Sequence, residues 1–405
     1  MSCESLSCES LSCESLRQRF TRALDAFARP QLTLLRRRAC SYQVCGVTGL
    51  VLCVALGMTL AVRLGLSPRV LGLLVLTSVA TFVALALATK VVVGEERLIY
   101  YHHEIAILAV AALTLRLLDQ PLLPYLDVTV LALGLFLACG RVGCLMVGCC
   151  HGRPHPWGVA YRPEHAAAGF SDQLVGVRLF PVQAVESLFV FAVVALGSVL
   201  LWNGRPPGEA LAIYVFAYGA ARFVFELGRG DDRPYLKGFS EAQWTSLVLM
   251  AGGAAAGLRG GLPLAALQVA GAAFVVLAML GVALKRRRDP AARHELLHAR
   301  HISEVARVLR SLEASAAEPS AAAAVNLVET SGGLRLSHGR LAGGERPLDH
   351  YCLSRAGRPM GAAAAEAVAG LIERLRPGEG ALELLLGSAG VFHLLAHRRT
   401  ENTAL

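Results

Sequence analysis

Between residues 42 and 284 the chain is a succession of apolar runs, each close to the length that crosses a bilayer. About 20 apolar residues span the hydrocarbon core as a helix. The runs are Tyr42–Val62, Val70–Thr89, Glu104–Leu118, Leu122–Gly140, Pro181–Trp202, Gly208–Leu227, Ala242–Leu258 and Leu262–Leu284. Glu104–Leu118 is the shortest and ends beside Arg116. Gly and Ala are dense throughout, as close helix packing in lipid prefers. Charged residues make up 17% of the chain, against about 25% in a soluble domain. The pattern predicts an all-α polytopic membrane protein of seven or eight transmembrane helices, with a small C-terminal soluble α/β domain.

Three segments follow: residues 1–41, a disordered repeat and basic N-terminal stretch; 42–284, the membrane domain; and 285–405, the soluble domain. The opening "MSCESLSCESLSCESL" repeats a five-residue unit and lacks the basic-then-apolar order of a signal peptide. It reads as low complexity. Past Lys285, "RHELLHARHISEVARVLRSLE" has amphipathic helical spacing, "GAAAAEAVAGLIERL" is helix-like and "ALELLLGSAGVFHLLAHR" strand-like. The net charge of +9 is concentrated at Arg17 to Arg38 and at Lys285-Arg286-Arg287-Arg288. Basic clusters flanking apolar spans are interfacial anchors and topology signals, so no nucleic-acid partner is expected. Three of the 11 cysteines lie in the repeat and most of the others in or beside apolar spans, which argues against a secreted disulfide scaffold.

Ionisable residues inside the spans carry the functional information. A charge at the bilayer centre costs at least ~2.5–3.5 kcal/mol, so such residues face a polar cavity and usually act. In "AYGAARFVFELGRG", Tyr218, Arg222, Glu226 and Arg229 are spaced 4, 4 and 3, on one helix face. Gln183 and Glu186 share a face at the start of another span. A plain neutralising pair of Arg222 with Glu226, or interfacial polar residues at a helix start, would read the same way. Arg141 ends its span among Gly140, Gly143 and Gly148, and glycine lets a ligand or another backbone come close. His102 and His103 precede Glu104 at a further helix start. If consecutive spans alternate in direction, all of these share one side of the membrane. Guanidinium forks bind phosphate bidentately, so an anionic lipid headgroup is the expected ligand, without metal or cofactor.

These blocks resemble the bacterial prolipoprotein diacylglyceryl transferases. The family signature G-R-x-G-N-x-x-N-G-E is matched by Gly140, Arg141, Gly143 and Gly148. P-x-Q-x-Y-E is matched by Pro181, Gln183 and Glu186, and Y-G-x-x-R-x-x-x-E-x-x-R by Tyr218, Gly219, Arg222, Glu226 and Arg229. The resemblance covers roughly residues 45 to 258. It implies transfer of the diacylglyceryl group of phosphatidylglycerol to the cysteine thiol of a lipobox-bearing prolipoprotein signal peptide, in the bacterial cytoplasmic (inner) membrane. His103, Arg141 and Arg222 would be catalytic. Gly140, Gly143, Gly148, Gln183, Glu186, Tyr218, Glu226 and Arg229 would hold substrate.

The departures fall in the site. Cys144 and Cys149 stand where the signature has Asn and Glu, and Val185 where the second block has Tyr. The glycines that follow the family's histidine are here Glu104 and Ile105, and Arg178 is one residue too far from Pro181. The spacing of Cys144, Cys149 and Cys150 does not suit zinc, whose pairs are C-x2-4-C. It leaves open a redox pair, a cysteine that accepts the lipid transiently, or small buried filling. A non-catalytic membrane protein of the same fold, a lipid-binding scaffold for its soluble tail, is the alternative function.

Overall fold

The computed structural model describes residues 3–34, 36–93, 100–288, 293–317, 326–341, 348–376, 379–388 and 390–398. Helix α1 covers Cys3–Phe27 and contains the N-terminal repeat. This corrects the expected disorder. Glu, Leu, Arg and Gln are strong helix formers, and no Gly or Pro interrupts the chain until Pro30. A short hairpin, β1 (Gln31–Leu34) and β2 (Arg37–Cys40), leads into the bundle.

Eight helices stand where the apolar runs predict them: α2 Ser41–Arg63, α3 Pro68–Val93, α4 Tyr100–Leu117, α5 Leu122–Val147, α7 Val182–Trp202, α8 Glu209–Leu227, α9 Glu241–Leu258 and α10 Ala265–Arg288. Among the described residues, six are long and apolar enough to cross a membrane; α4 and α9, at 18 residues each, carry more polar groups and fall short. In hydrocarbon every backbone polar group must be satisfied within its own segment, which is why these runs are helical. Helix α5 is the axis of the bundle: its apolar stretch is 67% buried, against 11% to 44% for the other five spans. Small residues let its neighbours approach. A Cβ on Gly134 would lie 2.6 Å from the Tyr214 ring and 2.8 Å from Val194, and one on Gly197 would lie 2.5 Å from Leu131. At the end of the bundle away from Arg141, the buried Asp127 carboxylate of α5 accepts hydrogen bonds from the Gly208 and Leu211 amides at 2.6 and 2.7 Å. It thereby satisfies the free N–H groups that open α8.

Between α5 and α7 the chain forms a cap not anticipated from sequence. It holds β3 (Pro154–Ala160), α6 (Pro163–Ala166), a 3-10 turn at Asp172–Leu174, and β4 (Arg178–Leu179) paired with β3. A second small hairpin, β5 (Tyr235–Leu236) with β6 (Phe239–Ser240), joins α8 to α9.

The C-terminal domain has helices α11 (Arg293–Leu296), α12 (Ala299–Ala317) and α13 (Ala362–Leu375). Its strands are β7 (Val328–Glu329), β8 (Leu334–Leu341), β9 (Leu348–Arg355), β10 (Glu379–Leu386) and β11 (Phe392–Arg398). They form one antiparallel sheet in the order β10-β11-β9-β8-β7. The segment read as one strand-like stretch is the β10–β11 hairpin. One sheet face, with Leu334, Leu336, Tyr351, Leu353 and Leu394, packs on Val305, Leu309, Val368 and Ile372 of α12 and α13. That core is continuous with Tyr161, Val177 and Leu179 of the cap. Arg310 donates to the Val175 carbonyl at 2.9 Å and Arg300 pairs with Asp232 at 2.6 Å. The domain therefore sits on the same end of the bundle as Arg141 and the cap.

Candidate functional site

The site is built where the ends of three helices meet. Arg141 lies two turns before the end of α5, Glu186 just after the start of α7, and Tyr218, Arg222 and Glu226 along the last turns of α8. The antiparallel run of α5, α7 and α8 brings these three sequence blocks to one level. Glu186, with no exposed surface, is the hub. Its Oε2 is 2.9 Å from Arg141 Nε and 3.5 Å from Arg222 Nη1, and its Oε1 accepts from the Tyr218 hydroxyl at 3.0 Å. Arg222 Nη2 is 2.7 Å from Glu226 Oε1, and Arg233 reaches the same oxygen at 2.9 Å. The neutralising pair of Arg222 and Glu226 thus exists, but within a larger network. The Tyr218 ring stacks on Tyr101 at 5.6 Å between centroids.

Arg229, just past α8, has a fully buried side chain and forks onto Asp231 at 2.7 and 2.9 Å. Arg233 also contacts Asp231, at 3.0 Å. Asp231 and Arg233 were not singled out from sequence; they lie in the connection after α8, outside any helical spacing that would have tied them to Arg229. Four cations here face three carboxylates, Glu186, Glu226 and Asp231. Arg222 Nε and Arg229 Nη1 are buried without a hydrogen-bond partner among the described residues. The network therefore has donors to spare for an anion.

The three glycines of the first block behave differently. Gly140 has open space at its Cβ position and lines a groove. Gly143 and Gly148, expected to border substrate, stand at a packing and a capping position. A Cβ on Gly143 would meet Tyr42 Cα of α2 at 3.2 Å. Gly148 closes α5 in the left-handed conformation, φ +86°, and lies against Phe170 and Tyr161, a regular use of glycine at a helix end. Gln183 donates to the Cys149 carbonyl at 2.7 Å and so ties α7 to the turn after α5.

The groove has a volume of about 470 Å³ and runs between α2, α3, α4 and α5. Its walls are apolar along Leu50, Leu74, Val128 and Phe136, and polar groups border it at Tyr42, His103 and Glu104. His103 is buried, with its ring 4.6 Å from that of Phe82. His102 instead points outward and pairs with Glu241 at 2.8 Å.

The sulfurs of Cys144, Cys149 and Cys150 lie within 4.8 Å of one another, beside these arginines. Cys150 has φ +59°, uncommon for a residue other than glycine. Hydrogen bonds from the Cys144 and Cys149 thiols, then the Arg229 and Arg141 charges, hold the Cys150 thiol well below the ordinary cysteine range. Cys149 is driven the opposite way by the same sulfur contacts and by burial. The cluster so sets three sulfurs beside Arg229 and Arg141, a grouping of which the spacing in sequence gave no sign.

A bundle of membrane-crossing helices with a buried arginine–carboxylate network and, between α2, α3, α4 and α5, an apolar groove defines a polytopic membrane protein with a buried cationic site. A family profile described as Prolipoprotein diacylglyceryl transferase matches residues 38–258, and the chain belongs to that family. It is 33% identical over 132 residues to phosphatidylglycerol–prolipoprotein diacylglyceryl transferase 2 of Clostridium perfringens, covering 31% of this chain and 48% of that protein. It is 34% identical over 130 residues to the transferase of Clostridium tetani, covering 31% and 49%. With transferase 2 of Streptomyces coelicolor it shares 32% over 141 residues, covering 33% and 43%. The chain spans about half the length of the curated relatives it matches.

Proposed function

We propose that this protein transfers the diacylglyceryl group of phosphatidylglycerol to the thiol of a lipobox cysteine in a prolipoprotein signal peptide, in a bacterial cytoplasmic membrane. The observation that carries the reading is the shared contact of Arg141 and Arg222 with Glu186, Arg141 standing one residue along α5 from Gly140, which lines the apolar groove. The acyl chains fill the groove and the phosphate displaces part of the Glu186 contact. In the transfer, the glycerol carbon–oxygen bond to phosphate breaks, a carbon–sulfur bond forms, and glycerol phosphate leaves. Negative charge grows on that leaving phosphate. Arg141 and Arg222, fixed in place before the reaction, stabilise it most where it is greatest. A thiol with pKa ~8.5 needs a base to react at neutral pH, and His103, lining the groove, takes its proton. Glu226 orients Arg222, while Tyr218 and Gln183 hold the glycerol.

Purified protein with radiolabelled phosphatidylglycerol and a lipobox peptide should yield labelled peptide and free glycerol phosphate. Arg222→Ala should abolish both while still inserting and extracting as wild type. One observation favours a second reading, a non-catalytic lipid-binding scaffold: the C-terminal domain packs directly on the cap over the site. Absence of labelled peptide, with phosphatidylglycerol still bound, would decide for that reading.

A further inference from the structure

The outer face of the C-terminal sheet carries three side chains that the transfer reaction does not use. Along β9, Asp349, Tyr351 and Leu353 turn inward and are buried. The alternation of a strand sends His350 and Cys352 to the opposite face. The same alternation in β11 buries Phe392 and Leu394 and turns His393 outward. The antiparallel register then sets His393 directly opposite Cys352, with Leu395 opposite His350. Directly paired residues have Cβ atoms about 4.5–5.5 Å apart, so the three side chains converge. His350 Nε2 is 2.9 Å from His393 Nδ1, and Cys352 Sγ is 3.4 Å from His393 Nδ1 and 3.7 Å from His350 Nε2.

We propose that His350, Cys352 and His393 form a binding site for a zinc-class divalent metal ion. Zinc takes imidazole nitrogen at about 2.0–2.1 Å and thiolate sulfur at about 2.3 Å; tetrahedral angles then separate two nitrogens by about 3.3 Å and nitrogen from sulfur by about 3.6 Å. The three observed separations are each within a few tenths of an ångström of those values, so an ion fits between the donors with small side-chain rotations. A hydrogen bond between the two imidazoles accounts for the first distance alone. It gives no reason for a thiol to close the triangle.

The ligands are also held. They stand on two strands whose ladder fixes their spacing, and sites on such elements are more exact than sites on loops. A Cβ on Gly387 would lie 2.7 Å from His393 Nε2 and 2.9 Å from its Cδ2. The His393 ring therefore rests on the Gly387 backbone, with Nδ1 turned toward the other two donors. Two imidazoles and a thiolate suit zinc and related borderline or soft ions, and not magnesium or calcium, which take oxygen. All three residues are half-buried on an outer face, so a fourth position stays open to water or a further ligand, the pattern of reactive rather than closed zinc sites.

The Cys144–Cys149–Cys150 cluster is a second place where metal could gather, and the test separates the two. Full-length protein carrying Cys144→Ser, Cys149→Ser and Cys150→Ser is purified in detergent under reducing conditions, loaded with zinc or cobalt(II), and dialysed. It should retain one equivalent of zinc per chain. Its cobalt form should show the intense ligand-field bands of four-coordinate cobalt and a thiolate-to-cobalt charge-transfer band, both removed by added zinc. Adding Cys352→Ser should erase the charge-transfer band. His393→Ala should weaken zinc binding by more than the 10- to 100-fold that loss of an outer-shell partner costs. No retained metal and no charge-transfer band in the triple-serine protein, or a band that survives Cys352→Ser, would overturn the site. If the triple-serine protein does not extract, otherwise unaltered chain with and without Cys352→Ser gives the same readout as a difference spectrum: a thiolate band lost with Cys352 supports the site, and identical spectra reject it.

Discussion

Arg141 on α5 and Glu186 on α7 form a buried ion pair at 2.9 Å, and Arg222 of α8 shares the same carboxylate oxygen. Two guanidinium groups thus meet on one carboxylate, which a phosphate can replace in part. Arg141→Lys keeps the charge but loses the planar fork, so bidentate contact is lost. Hydrogen bonds to charged groups are worth ~1.5–3 kcal/mol, so turnover or affinity for phosphatidylglycerol should fall about tenfold to a hundredfold. Arg141→Ala should be worse. Comparing phosphatidylglycerol with phosphatidylethanolamine in detergent at two salt concentrations checks this. Equal use of both lipids, with Arg141→Lys behaving as wild type, would remove the phosphate contact.

The thiol cluster should titrate unevenly. Cys150 is held low by hydrogen bonds from the Cys144 and Cys149 thiols and by Arg229 and Arg141; Cys149 is pushed up by the sulfurs around it. A lowered pKa means that thiolate is present below the ordinary titration range of about pH 8.5, and thiolate is the reactive form. Brief treatment with iodoacetamide near pH 6.5 should therefore modify Cys150 ahead of Cys149, although Cys149 is the more exposed. Peptide mass spectrometry reads the order, and preferential labelling of Cys149 at that pH would contradict it.

The crossing of α5 with α7 and α8 depends on Gly134. Any Cβ there would come within 2.6 Å of Tyr214 and 2.8 Å of Val194. Overpacking a well-filled interior costs roughly 1–3 kcal/mol. Gly134→Val should lower the thermal midpoint and the extracted yield in detergent. Gly140→Ala, where nothing lies within 4 Å, should leave both unchanged.

The C-terminal domain and the site share one side. Arg310 bonds the Val175 carbonyl and Arg300 pairs with Asp232, and both contacts require the domain on the cap's side of the membrane. A reporter fused after Leu405 and a cysteine introduced at the exposed Pro156 of β3, labelled from outside intact cells, should report the same compartment. Opposite compartments would separate the domain from the site. The basic clusters at Arg37-Arg38 and Lys285–Arg288 adjoin α2 and α10 at that same end.

The sequence by itself determined the helices and the residue blocks. An apolar run of bilayer length has one way to satisfy its backbone, and helical spacing puts Tyr218, Arg222 and Glu226 on one face whatever surrounds them. It also marked Arg141, Gln183 and Glu186 as polar groups that need a reason to sit in lipid. Which of them touch was decided only by the tertiary structure. Glu186 becomes the hub because α5, α7 and α8 end at one level, a matter of packing and loop length that no local pattern encodes. The split among Gly140, Gly143 and Gly148 likewise depends on what lies opposite each. The same holds for His350, Cys352 and His393: two residues apart along β9 they are an ordinary alternation, and only the register of β11 brings the third donor to them. Interstrand register is set by long-range pairing and by turns, so forty residues of separation hid the triangle until the sheet was formed.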